Sequence, residues 1–418
     1  MDTILWVLQY APVFLILISV VITVHELGHY WVGRLFGAAA ESFAIGFGRP
    51  IIERRDKRGT RWRINWIPLG GFVNFVGEVQ LPQDVGKEAP QTALTQDEAD
   101  KLATHSQRAE TPAEKKTATL DDRVIVGRPF NELGPWQRIA VALGGPLANF
   151  VFAIVTFAAM GFALGVPQAQ EVVVVGVVQG GPAEHAGFKT GDVVLEAGSR
   201  KVETRNDVIM VTQLSAGEAM NYKVRRGGET LVLTATPVEN TVRDEQLRMS
   251  QKVGQLLVNL EQRDTSIRNL NPVDAVGYGL YRTGDTIGST VNVMRRLLSG
   301  KEGLDKLSGP VGILHLTGGV TQMTLAQEGV SIGEKIRQLF WTLAQLAALL
   351  SVGIGFFNLL PFPILDGGTV VMTFAEAVRG KPLPDKFQYV GRAIGLVCLV
   401  AFAVVITMYD SLRLPWGG

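Results

Sequence analysis

A chain of 418 residues, 47% hydrophobic with a mean hydropathy of +0.20, points away from one globular core and toward several membrane spans joined to soluble parts. Its 40 basic and 39 acidic residues leave a formal charge of +1, which excludes the basic footprint of a nucleic-acid binder. The single cysteine, Cys398, lies inside an apolar run and excludes both a disulfide framework and a thiolate metal site.

The first of four long apolar segments covers about residues 3–36. No charge interrupts it from Thr3 to Val24, so a helix reaches His25 about 30 Å along its axis, at one edge of a bilayer. With Asp2 but no Lys or Arg before it, and a histidine pair at its end, the segment reads as a retained helix rather than a cleaved signal peptide. The stretch VHELGHYWVGRLFG then begins at Val24. Positions i and i+4 share a helix face, so His25 and His29 can offer imidazole nitrogens to one ion while Glu26 stands beside it as a general base. This is the H-E-x-x-H arrangement of zinc hydrolases. The alternative is two interfacial histidines hydrogen-bonded to neighbouring helices.

The next connection carries Arg49, Arg54, Arg55, Lys57, Arg58, Arg61 and Arg63, which marks it as cytoplasmic. Within it RWRINWIPLGGFV alternates polar residues with Trp62, Ile64 and Trp66 before Gly70 and Gly71, a strand pattern, and DKRG upstream suits a hairpin turn. Beyond Glu78 the chain becomes polar and turn-rich, an insertion in which His105 reads as a surface residue.

The second apolar segment, about residues 139–166, contains GGPLANF with Pro146 and Asn149. A large external region follows. Val172 to Gln213 reads as strand, Gly-Pro turn, short helix, strand and helix, and YKVRRGGETLVLTATP as a closing hairpin. Residues 269–300 have helical spacing. The third and fourth apolar segments lie at about 339–360 and 390–408. Arg379, Lys381 and Lys386 put the loop between them on the cytoplasmic side, and Arg392 can snorkel to the interface. Both chain ends and the external region then lie across the membrane from it.

Zinc needs a third protein ligand and an open position. His185 and His315 fall on the outer side, whereas Asp366 in FFNLLPFPILDGGTVV follows the third span on the cytoplasmic side. Pro361 and Pro363 break the helix there, so Asp366 lies on irregular backbone that must line protein or a polar cavity. Its alternative role is an N-cap for the helix that follows.

HELGH at the end of a first span, GGPLANF in the second, LSGPVGI from Leu307 and NLLPFPILDGG at the third together resemble the site-2 protease family of intramembrane zinc metalloproteases, in the bacterial branch that includes the regulator of sigma-E protease. The resemblance covers nearly the whole chain in order. It implies one zinc ion held by His25, His29 and Asp366, Glu26 as catalytic acid/base, and Asn358 as a residue that holds the substrate backbone. Asn149 would belong to the same core, either donating to a developing oxyanion or joining two helices. GPAEHAGFKTGD is similar to a bacterial PDZ signature, and one such domain is legible.

The expected architecture is a membrane α-helical bundle of about four transmembrane helices with a small membrane-associated β-hairpin and an α+β PDZ domain. Its segments are residues 1–36, 37–78, 79–135, 136–166, 167–260 for the PDZ domain, 261–338, 339–386 and 387–418. The expected substrates are single-span proteins of a bacterial inner membrane, shortened beforehand by another protease. They meet Trp62, Ile64, Trp66, Gly70 and Gly71 as a strand edge. The rival class is a non-catalytic metal-binding membrane scaffold that uses the PDZ domain.

Overall fold

A computed structural model describes residues 2–78, 92–94, 124–168, 171–244, 249–263, 266–301, 303 and 307–413. Most of the polar insertion, with His105, lies outside the described residues. The chain divides into two compact units, residues 1–158 with 276–408, and residues 159–275 with 409–418.

The first unit opens with α1 (Asp2–Leu35), whose apolar length is that of a membrane span. Two long strands follow, β1 (Ala40–Arg55) and β2 (Arg61–Phe75). They pair antiparallel with several register shifts, and Ala44 lies opposite both Phe72 and Arg63, so the strands fold back on themselves. Gly46 and Gly48 take φ of +80° and +91° in β1, conformations that favour a residue without Cβ. Tyr30, Phe43 and Phe75 close a core between this β layer and the end of α1. The far end of the layer exposes Phe47, Ile51, Ile52, Trp66, Ile67 and Leu69.

Two short strands, β3 (Thr92–Leu94) and β4 (Val124–Val126), pair in parallel before α2 (Pro135–Leu164), the second helix of spanning length. Gly28 of α1 and Gly144 of α2 meet back to back, and a Cβ on either would strike the backbone of the other. Small residues permit this approach where lipid gives helices no hydrophobic reason to associate.

The second unit contains β5 (Val166–Gln168), β6 (Glu171–Val177), α3 (Pro182–His185), β7 (Val193–Ala197), β8 (Arg200–Lys201) and α4 (Arg205–Gln213). It continues through β9 (Met220–Arg226), β10 (Glu229–Ala235), β11 (Val238–Asp244), β12 (Met249–Gln255), β13 (Val258–Arg263) and β14 (Ser266–Arg268). The main sheet runs β10-β9-β7-β6-β13 with β8 on β7, which makes β10 and β13 edge strands. Its core is Val172, Val174, Phe188, Val194, Tyr222 and Val224 with neighbours. Thr204 caps α4 through a reciprocal pair with Asp207. The strand, Gly-Pro turn, helix and hairpin order expected for Val172 to Pro237 is present.

The first unit resumes in α5 (Pro272–Leu298), then α6 (Pro310–Ala326), α7 (Ile332–Asn358), α8 (Asp366–Arg379) and α9 (Asp385–Arg413). Helices α7 and α9 contain the third and fourth segments of spanning length. The span expected from residue 339 begins at Ile332, because Ser331 caps α7 and accepts from the Glu334 amide at 3.3 Å. Leu17 and Val21 of α1 pack with Ala347 of α7 and Phe152 of α2, which places three helices around the ends of the HELGH and GGP motifs.

Candidate metal centre

His25, Glu26 and His29 occupy consecutive turns of α1, and Asp366 is the first residue of α8. Their meeting depends on an irregular passage at LPFPILDGG. A Cβ on Gly367 would strike the Leu359 and Leu360 carbonyls, and one on Gly368 would strike the Phe362 carbonyl. The two glycines therefore let the chain fold tightly enough to turn Asp366 back toward α1. The N-cap of α8 is Leu365, with no side-chain capping bond, so the Asp366 carboxylate is directed to the histidines rather than to its own helix end.

The separations fit a metal. His25 Nε2 lies 3.2 Å from His29 Nε2 and 3.1 Å from Asp366 Oδ2, while His29 Nε2 lies 3.4 Å from Asp366 Oδ1. Ligands on a tetrahedral zinc with bonds of about 2.0–2.1 Å stand about 3.3 Å apart. Apart from the His25 ring nitrogen 3.1 Å away, Asp366 Oδ2 is buried and makes no hydrogen bond, as an oxygen meant for a cation would. Two imidazoles and one carboxylate suit zinc better than magnesium or calcium, which prefer all-oxygen cages. Among the described residues these three form the one cluster of histidine, cysteine or acidic groups able to hold an ion.

Helix α2 backs the site. His29 Nδ1 is 2.8 Å from the Val141 carbonyl, and the amide of Asn149 is 3.2 Å from His25 Nδ1. Between them Gly145 faces both rings, and a Cβ there would fall 2.7 Å from His25 Cε1. Val141, Gly145 and Asn149 are spaced i, i+4, i+8, one stripe of the helix.

Strand β2 lies along α1 on another face. Ser19 Oγ donates to the Pro68 carbonyl at 2.6 Å, Ile22 touches the position of Gly70, and the Val73 amide donates to Glu26 Oε2 at 3.0 Å. The Gly71 position lies beside Glu26 Cγ, and a Cβ there would meet the Ala44 carbonyl at 2.7 Å. Of the residues expected to line a strand edge, Gly70 and Gly71 thus sit against the helix that bears Glu26. Ile64 and Trp66 are exposed, Trp66 at 70%. Trp62 instead packs between Tyr30 and Phe43 and donates to Asp56. Asn358, half-buried, ends α7 ahead of the LPFP passage.

Val141, Gly145 and Val73 carry roles that the sequence did not assign. Val141 and Val73 act through backbone atoms, which leave no residue signature; Gly145 was visible only as part of a motif.

The profile of Peptidase family M50 matches residues 13–402, nearly the whole chain and all of the residues above. The chain belongs to peptidase family M50. Membership bears out the site-2 protease resemblance and makes the chain a zinc metallopeptidase with helices able to span a membrane. The chain is similar to the metalloprotease MmpA of Caulobacter vibrioides, 37% identical over 96% of this chain and 94% of that protein. It is similar to Atu1380 of Agrobacterium fabrum, named as a zinc metalloprotease, at 32% identity over 96% and 95% of the two chains. It is also similar to the regulator of sigma-W protease RasP of Bacillus subtilis, at 28% identity over 96% of this chain and 98% of RasP.

Proposed function

We propose that this M50 peptidase cuts single-span membrane proteins within or beside their transmembrane helix, with His25, His29 and Asp366 as zinc ligands and Glu26 as acid/base. The observation that supports it most is the meeting of three donor groups from two distant elements beside Glu26, at separations suited to tetrahedral zinc. Zinc in such a site supplies Lewis acidity, lowering the pKa of water toward neutrality and polarising the scissile carbonyl. Glu26 takes a proton from water and returns it to the leaving amine. The Val73 amide holds one Glu26 oxygen and leaves the other for that proton transfer.

Helical carbonyls are hydrogen-bonded and screened by side chains, so the substrate must unwind where it is cut. The edge of β2 around Gly70 to Val73 receives the unwound stretch by strand addition, and Asn358 holds its backbone from the other side. The exposed apolar tip of the β layer suits a membrane-associated hairpin. The basic loops of the sequence support a position of this machinery near the cytoplasmic face of a bacterial inner membrane. The second unit, a periplasmic PDZ domain in this reading, admits substrates already shortened outside the membrane. A relative named for regulating sigma-W supports a membrane-anchored regulator, such as an anti-sigma factor, as substrate.

The test replaces the ligands singly. His25→Ala, His29→Ala and Asp366→Ala should each abolish cleavage of a reconstituted single-span reporter and lower zinc content below stoichiometry. Any one of them retaining both zinc and cleavage would remove that residue from the site.

A further inference from the structure

We propose that Asn149 is a positioning residue for the metal: its amide oxygen accepts the Nδ1–H of His25 and so keeps Nε2 of that ring bare and aimed at the ion. The inference rests on the zinc-site reading above.

Asn149 is fully buried on α2, and its side-chain amide lies 3.2 Å from His25 Nδ1. The other ring nitrogen, Nε2, is the one that faces His29 and Asp366. A neutral imidazole has one donor and one acceptor nitrogen. If Nε2 gives its lone pair to a metal, Nδ1 must carry the proton, and a proton buried there needs an acceptor. With the Asn149 nitrogen toward the ring, two donors would oppose each other, and Oδ1 is left buried without a partner. Amide oxygen and nitrogen have nearly the same shape, and a half-turn exchanges them without moving any other atom. Turned so, the oxygen accepts from Nδ1–H and the conflict is gone.

His29 provides an internal precedent. Its Nδ1 lies 2.8 Å from the Val141 carbonyl, which can only accept, so Nδ1 carries a proton and in the neutral ring Nε2 is bare. One stripe of α2 thus sets the tautomer of both histidines, by a backbone carbonyl at Val141 and a side-chain carbonyl at Asn149. Helix α7 holds the second of these in place. Ser351 Oγ donates to the backbone carbonyl of Asn149 at 3.0 Å, and Gly355 leaves room for its Cβ. An oxyanion donor would have to face the open side of the metal, whereas this amide faces the ring edge turned away from Asp366.

The experiment is zinc affinity by chelator competition on the full-length protein in detergent, for wild type, N149L and N149D. Outer partners of metal-bound histidines are worth about 10–100-fold in affinity. N149L, which has no acceptor, should bind zinc weaker by that factor, and N149D, which keeps one, should hold zinc as tightly as wild type or tighter. N149L with wild-type affinity, or N149D falling as far as N149L, overturns the proposal. His25→Ala in the same assay separates the two levels: if it keeps wild-type affinity, the zinc-site reading itself fails. If either Asn149 variant fails to fold, ¹⁵N spectra of zinc-loaded wild type decide the matter. A protonated Nδ1 on His25 supports the assignment, and a bare one overturns it.

Discussion

Gly145 bears a tight steric constraint in the centre: a Cβ there would strike His29 Nε2 and lie 2.7 Å from His25 Cε1. Its α-hydrogen faces the imidazoles of His25 and His29 with no room for a Cβ, so the added methyl of Gly145→Ala must push both rings off their bearing. A shift of 1 Å or less is enough to break a ligand set whose members stand about 3.3 Å apart. We expect G145A to fold but to purify without stoichiometric zinc, as read by atomic absorption; full occupancy would contradict this packing argument. Asp366 illustrates a choice that spacing alone left open, because an aspartate before GGTVVM fits either a helix cap or a ligand. The α8 N-cap makes no side-chain capping bond and the Asp366 carboxylate lies 3.1 and 3.4 Å from the two imidazoles, which favours the proposed ligand role over the cap.

Among the elements outside α1 and α8, β2 touches the proposed base directly, since its Val73 amide donates to Glu26. Val73→Pro removes that donor and breaks the strand edge, while leaving His25, His29 and Asp366 untouched. The expected result is zinc at wild-type content with cleavage of a single-span reporter lost; unaltered cleavage would defeat strand addition at this edge. The strand itself was legible from the alternation of Trp62, Ile64 and Trp66, and so was each spanning helix from its apolar length. Alternation names two faces without saying which is covered, and Trp62 lies in the Tyr30–Phe43 core because β1 and β2 fold back on themselves. The first turns of α7 escaped a hydropathy reading because Glu334 and Arg337 form a surface ion pair there, a polar start to an apolar helix. Likewise β11 and β12 pair with each other in a separate two-stranded sheet, and Val238, Val242, Met249 and Val253 are too sparse among polar residues to give a clear alternation.

For the whole molecule, the second unit can be probed separately from the first. Asp192 is wholly buried there and is held by Arg226 and the Lys189 amide. Burial alone would raise its carboxyl pKa, but the Arg226 and Lys189 hydrogen bonds outweigh that and hold it below the ordinary value. A depressed folded value means a contribution to stability that is complete above the unfolded pKa of about 3.9 and lost as pH falls through the folded one. Protection factors for amide hydrogen exchange across β6, β7 and β9 in the full-length protein, corrected for the intrinsic rate at each pH, should therefore fall below about pH 4. D192N should lose about 1–3 kcal/mol of protection at neutral pH and flatten that dependence. Unchanged exchange in D192N would show the buried pair to be dispensable. The proposed gate is tested by deleting residues 172–237: full-length membrane substrates should become cleavable, and continued resistance would end the filter idea.

The central claim is that Glu26 acts as the base of a zinc peptidase at the membrane edge. The most direct test compares wild type with Glu26→Gln at matched zinc content, on tagged single-span reporters, intact and shortened, in liposomes. The account predicts cleavage by wild type alone, with equal zinc in both proteins; equal cleavage by the two would contradict it.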